Sequence, residues 1–284
     1  MSNAGALAEI AVSNADAETR HIYERIMTLT GVGSPALIYR HFAVFPGFLP
    51  WVWKFVGPEL ESGLLAGHAL KNVDDLPVVS LPAVSAQDLT DCGIDSGAHA
   101  LIDAMLATYN RMNPINLALI AAIRNKLDVN FHRPSCATNL EMIEAPAPGP
   151  VHSLPAPLNV DTMSNELRTK IAELSAAIPS PGVQVTPTLY RHLAIWPKFV
   201  FHLAPGILAA IERGDVEERM SMLTEATQPL IQYVMQRADE RQLPDAPLDD
   251  PAAMVRTLDT FAYVIPQLVV IGTALRKAIP ASNS

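Results

Sequence analysis

The chain has little charge, few aromatic side chains and almost no cysteine. Of its 284 residues, 17% are charged, 6% are aromatic and 2 are cysteine. Cys92 and Cys136 form neither a C-x-x-C pair nor a disulfide framework. That usage fits a reducing, cytoplasmic setting. Lys and Arg number 20 against 29 Asp and Glu, a net charge of −9, and no basic run appears. A nucleic-acid partner is therefore not expected, because binding a phosphate backbone needs a cationic surplus on one face. There is no G-x-G-x-x-G after a strand, no Walker loop and no G-x-S-x-G elbow, so no cofactor is expected. The 8 histidines show no H-x-x-x-H or H-E-x-x-H spacing, and a metal site is not expected. The N-terminus lacks the basic stretch and apolar run of a secretory leader. The most apolar stretches, 193–211 and 263–279, are interrupted or closed by Pro197, Lys198, His202, Pro205, Arg276 and Lys277. Both fall short of the roughly 20 apolar residues of a membrane helix. They read as buried core helices, and no membrane partner is expected.

Strand-like alternation is also missing. Residues 78–84 and 182–185 are the only β-flavoured pieces, and both are short or interrupted. What remains is a helical pattern with 49% apolar residues, enough for a large core. Asn14 reads as the cap of a helix running to Thr30, with Gly31 as its stop. Ser34-Pro35 and Thr186-Pro187 each read as a cap followed by proline in the first turn of short helices, 35–45 and 187–196. Ser85 with Asp88 is a capping box. Asp95 or Ser96 opens a helix to about Asn110, and Asn113-Pro114 opens another through Leu127. In the second half, Asp161 or Ser164 caps a helix bearing Leu167, Ile171 and Leu174. The pair 251–264 and 266–279 follows it.

The chain also repeats itself. Tyr39-Arg40-His41-Phe42-Ala43-Val44-Phe45-Pro46-Gly47-Phe48 returns as Tyr190-Arg191-His192-Leu193-Ala194-Ile195-Trp196-Pro197-Lys198-Phe199, with 6 of 10 positions identical. Leu106-Ala107-Thr108-Tyr109 with Pro114 is echoed by Leu258-Asp259-Thr260-Phe261 with Pro266 at nearly the same offset. A period this long implies a duplicated unit, not a solenoid. The expected architecture is all-α: an internally duplicated pseudo-dimer of two helical halves, 10–142 and 158–280. The proline-rich linker 143–157 joins them, and their short helices should be related by a pseudo-two-fold. Two such halves enclose one cleft.

Among candidate functional residues, His41 and His192 stand out because they occupy equivalent places in the repeat. They have two readings: bracing their own halves, or lining the cleft. Asn110 and Asn113 in Tyr109-Asn110-Arg111-Met112-Asn113-Pro114 are sharper candidates. Their counterparts, Ala262 and Ile265, are apolar. A purely structural cap would be wanted in both halves, so the difference points to a polar group needed on one wall only.

With these residues in view, the chain resembles the group I 2-haloacid dehalogenases, which invert configuration and accept both D and L substrates. The matching stretches are Phe45-Pro46-Gly47-Phe48-Leu49-Pro50, the Tyr-Asn-x-x-Asn-Pro segment at 109–114, and Ala194-Ile195-Trp196-Pro197-Lys198. The resemblance implies a helical pseudo-dimer whose site lies between the halves. It implies direct attack of water on the halogen-bearing carbon, with an Asp as base and an Asn holding water or substrate. Carried over, the Asn falls on Asn113 and a hydroxyl residue on Thr188. The Asp falls on Leu189, which cannot take a proton, and 183–195 contains no Asp or Glu. Aromatic pocket positions fall on Ser34 and Leu37.

His192, one turn after position 189, is the replacement base that helical spacing offers, with His41 on the opposite wall. The expected site is Asn113, His192 and His41, with Tyr109, Asn110, Thr188, Leu189, Ser34, Leu37 and Ile265 around a small organic ligand. Two functions follow: a dehalogenase-like or drifted hydrolase, or a non-catalytic small-ligand-binding pseudoenzyme. A homodimer stays open.

Overall fold

The structure is a computed structural model that describes residues 7–131, 138–148, 151, 153–178 and 186–282. These residues form an all-α protein of eleven α-helices and no strand. In the first part of the chain these are α1 (Ala17–Thr30), α2 (Leu37–Phe42), α3 (Phe48–Glu61), α4 (Leu64–Asp74), α5 (Ala86–Asp91) and α6 (Ser96–Leu127). In the second part they are α7 (Asn165–Ala176), α8 (Thr188–Leu193), α9 (Pro197–Glu212), α10 (Asp215–Glu240) and α11 (Pro251–Ala278).

Side-chain caps set five of the eleven helix starts. Asp95 accepts from Ala98 N, Ser164 from Leu167 N, and Asp250 from Ala253 N. Each satisfies an amide that the first turn leaves unpaired. Ser85 and Asp88 form the expected capping box. At α1 the cap is Asp16, which accepts from Thr19 N at 2.7 Å, not Asn14. A short 3-10 turn, Val12–Asn14, takes up Asn14 instead. The repeated short helices are narrower than expected, since Pro35 and Pro187 precede the first helical residue.

The largest difference concerns the long helices. The expected breaks before Pro114 and Pro266 do not occur: α6 and α11 each run straight through an internal proline. A mid-helix proline forfeits a hydrogen bond and crowds the preceding turn, at a cost of about 3 kcal/mol. Here both prolines are buried on the helices that share the most extensive helix–helix contact in the molecule. Packing at that crossing offsets the lost bond. The crossing is antiparallel, for Asp103 early in α6 meets Arg276 late in α11, and Arg124 late in α6 meets Asp259 early in α11. Unbroken, α11 is long and apolar enough to cross a membrane by length and composition, and 67% of its most apolar stretch is buried within the fold.

Two hydrophobic cores result. The first holds α1–α4 with the later parts of α6 and α10 and the earlier part of α11. The second holds residues 79–106, α7–α9, the start of α10 and the end of α11. Residues 78–84 form no strand; Val84 N donates one bond to Ala278 O. Residues 182–185 lie outside the described residues. The described part of the proline-rich linker is not helical. It is tied down by Arg111, which donates to Pro146 O and to Thr30 O.

The repeated tyrosines sit in matching surroundings. Tyr39 donates to Asn116 Oδ1 at 2.8 Å, and Tyr190 accepts from Gln267 Nε2 at 3.3 Å. Both tyrosines are buried, and burial pushes their hydroxyls well above the ordinary phenol value.

Candidate functional site

Where α6 and α11 cross, a cavity of about 400 Å³ opens between them, the N-terminal ends of α2 and α8, and the linker segment 153–156. Each long helix presents a stripe at i, i+3, i+4, i+7 spacing. On α6 the stripe is Tyr109, Met112, Asn113 and Asn116; on α11 it is Phe261, Val264, Ile265 and Leu268. Helical geometry puts such residues on one face. The α6 wall is therefore largely polar and the α11 wall apolar. Ser34, Leu37 and Arg40 come from α2 and the turn before it, and Thr188 and His192 from α8.

The structure thus brings Asn113, His192, Tyr109, Thr188, Ser34, Leu37 and Ile265 to one cavity. Three expected members lie elsewhere. Leu189 is fully buried in the second core, because the turn from position 188 to 189 swings the side chain from the cavity into the α7–α9 packing. His41 donates from Nδ1 to Ala8 O at 2.7 Å and packs edge-on against Phe45. It braces the N-terminal segment instead of facing the cavity. Asn110 sits against Gly272 of α11, where an added Cβ would come 2.3 Å from Asn110 Oδ1. It belongs to the helix crossing.

Arg40, which the repeat marks beside His41, lines the cavity, and so do Asn116, Thr108, Met112, Phe261, Val264 and residues 153–156, which sequence reasoning missed. The i, i+3, i+4, i+7 spacing from Tyr109 and from Phe261 was a readable signal for Met112, Asn116 and Val264. The linker residues carried none.

His192 is buried, and both of its ring nitrogens are engaged. Nε2 lies 2.8 Å from Pro155 O, and Nδ1 lies 2.7 Å from the Tyr109 hydroxyl. A carbonyl oxygen only accepts, so Nε2 carries the hydrogen and neutral Nδ1 accepts from Tyr109. Burial lowers the His192 pKa most, against an opposing pull from the Pro155 bond, with Arg191 lowering it further. Burial raises the Tyr109 hydroxyl well above the ordinary phenol value. The two shifts oppose proton transfer from Tyr109 to His192, so the pair is a neutral brace and not an activated dyad.

Charge in the cavity is one-sided. Among the described residues that line it, none is Asp or Glu, and Arg40 alone carries a permanent charge. Arg40 pairs through Nη1 with Glu9 at 3.0 Å. Its Nε, like Asn113 Nδ2, is buried without a hydrogen-bond partner. Buried donors are normally bonded; both atoms are fully buried, so they lie behind the cavity surface and not on it. No group of three or more His, Cys, Asp or Glu that could hold a metal occurs among the described residues.

No family model matches the chain, and no curated protein matches it. Solved structures do. A D-2-haloacid dehalogenase mutant in complex with D-2-CPA aligns with a TM-score of 0.71. A further D-2-haloacid dehalogenase mutant gives 0.73, and the dehalogenase in complex with L-LA gives 0.71. Each alignment covers 96% of both chains at 14% identity. The chain has the 2-haloacid dehalogenase fold. On this dehalogenase scaffold the described residues that line the cavity offer polar groups, one cation and apolar surface, but no carboxylate.

Proposed function

We propose that this dehalogenase-fold protein binds a small organic acid in the cavity between α2, α6, α8 and α11, and that it does not hydrolyse carbon–halogen bonds. The observation that carries the reading is a lining with one cation and no carboxylate. Among the described lining residues Arg40 alone carries a permanent charge, and none is Asp or Glu. A carboxylate ligand would pair with such a cation, whereas water activation needs an acceptor with proton affinity. His192 does not supply one while Tyr109 occupies its Nδ1. A drifted hydrolase is accordingly the weaker reading.

The test is chloride release from each enantiomer of 2-chloropropionate. Loss of a positioned base costs about 100- to 10,000-fold, so release should stay far below the roughly 1 per second of ordinary enzymes. Turnover at that rate with either enantiomer would contradict the proposal. Thr188→Asp, which places a carboxylate on the cavity wall, is expected to raise chloride release above that of the unaltered protein.

A further inference from the structure

Resting on the acid-binding reading above, we infer that the acid is a monocarboxylate with an extended apolar body, much larger than a two- or three-carbon haloacid. Size is the first ground. An apolar cavity of about 150 Å³ takes up benzene, and this one measures about 400 Å³. At the same filling it holds an acid of up to about sixteen non-hydrogen atoms. A three-carbon acid would leave most of it to water against apolar side chains.

The distribution of polarity is the second ground. The polar lining residues Arg40 and Asn113 belong to α2 and α6. The facing α11 wall is largely apolar, with Phe261, Val264, Ile265 and Leu268 beside Thr260. A ligand with one charged end and a long apolar end matches that division. The count of charges is the third ground. Among the described lining residues Arg40 alone carries a permanent charge, so a second carboxylate would be buried without a cation of its own and would weaken binding.

Titration calorimetry on the unaltered protein with octanoate, propionate, 1-octanol and suberate tests this. Each buried methylene strengthens binding by about fourfold, so octanoate should bind at least about 100-fold tighter than propionate. It should also bind at least about tenfold tighter than 1-octanol and than suberate. Arg40→Met should weaken octanoate and leave 1-octanol unchanged, and the ligand series stands by itself if that variant does not fold. Propionate binding as tightly as octanoate would overturn the size inference and leave acid binding intact. Suberate matching octanoate would overturn the single-charge inference. 1-Octanol matching octanoate, or no binding by any acid, would overturn acid binding itself and this inference with it.

Discussion

Neighbouring residues on α8 illustrate how one step along a helix decides a role. Thr188 lines the cavity, while Leu189 is fully buried in the second core. Leu189→Asp would therefore bury an unpaired carboxylate in apolar packing. It should destabilise the protein by about 3 kcal/mol or more, read from urea unfolding, with no gain in chloride release. Full stability in that variant would mean that position 189 reaches solvent. His192 leads to a pH prediction. Its folded-state pKa is lowered from 6.5, so protonation favours the unfolded chain. Its contribution is intact above pH 6.5 and is lost as the pH falls through the lowered value. His192→Gln should flatten the decline of unfolding free energy in that acidic window. Parallel decline in both proteins would exclude His192 as a source.

At the scale of helices, the sequence carried the caps and stripes and misplaced the breaks. Polar caps at Ser85, Asp95 and Ser164 are local signals, written in residues three apart. Continuity through Pro114 and Pro266 is a tertiary effect, visible only once α6 and α11 pack together. The same crossing explains Asn110. Its apolar counterpart, Ala262, marked it as functional, yet its amide fills the space that Gly272 leaves open. Gly272→Ala should overpack that contact and cost about 1–3 kcal/mol. Asn110→Ala in the same chain should recover part of the loss, a coupling that a double-mutant cycle measures. Additive effects would mean that the two residues do not share the space.

At the scale of the molecule, neither sequence half is a self-contained unit of packing. The first core takes in parts of α10 and α11, and the second takes in residues 79–106. We propose that the halves nonetheless descend from one duplicated unit, which the matching bonds of Tyr39 and Tyr190 support. Superposing 10–142 on 158–280 should lay α2 on α8 and α6 on α11; failure of those pairs to coincide would remove the proposal. α6 and α11 present one largely polar and one largely apolar wall to the same cavity. Asn113 against Ile265 made that asymmetry legible in the sequence. The absence of Asp and Glu among the described lining residues was only half legible, because the family resemblance pointed to Leu189, which lies in the second core and not on the cavity wall. The most direct measurement is a crystal structure of the protein with octanoate bound. The account predicts density in this cavity, with the carboxylate within hydrogen-bond reach of the Arg40 guanidinium and the chain along Phe261 and Ile265. Octanoate bound elsewhere, or bound here with its carboxylate remote from Arg40, would contradict it.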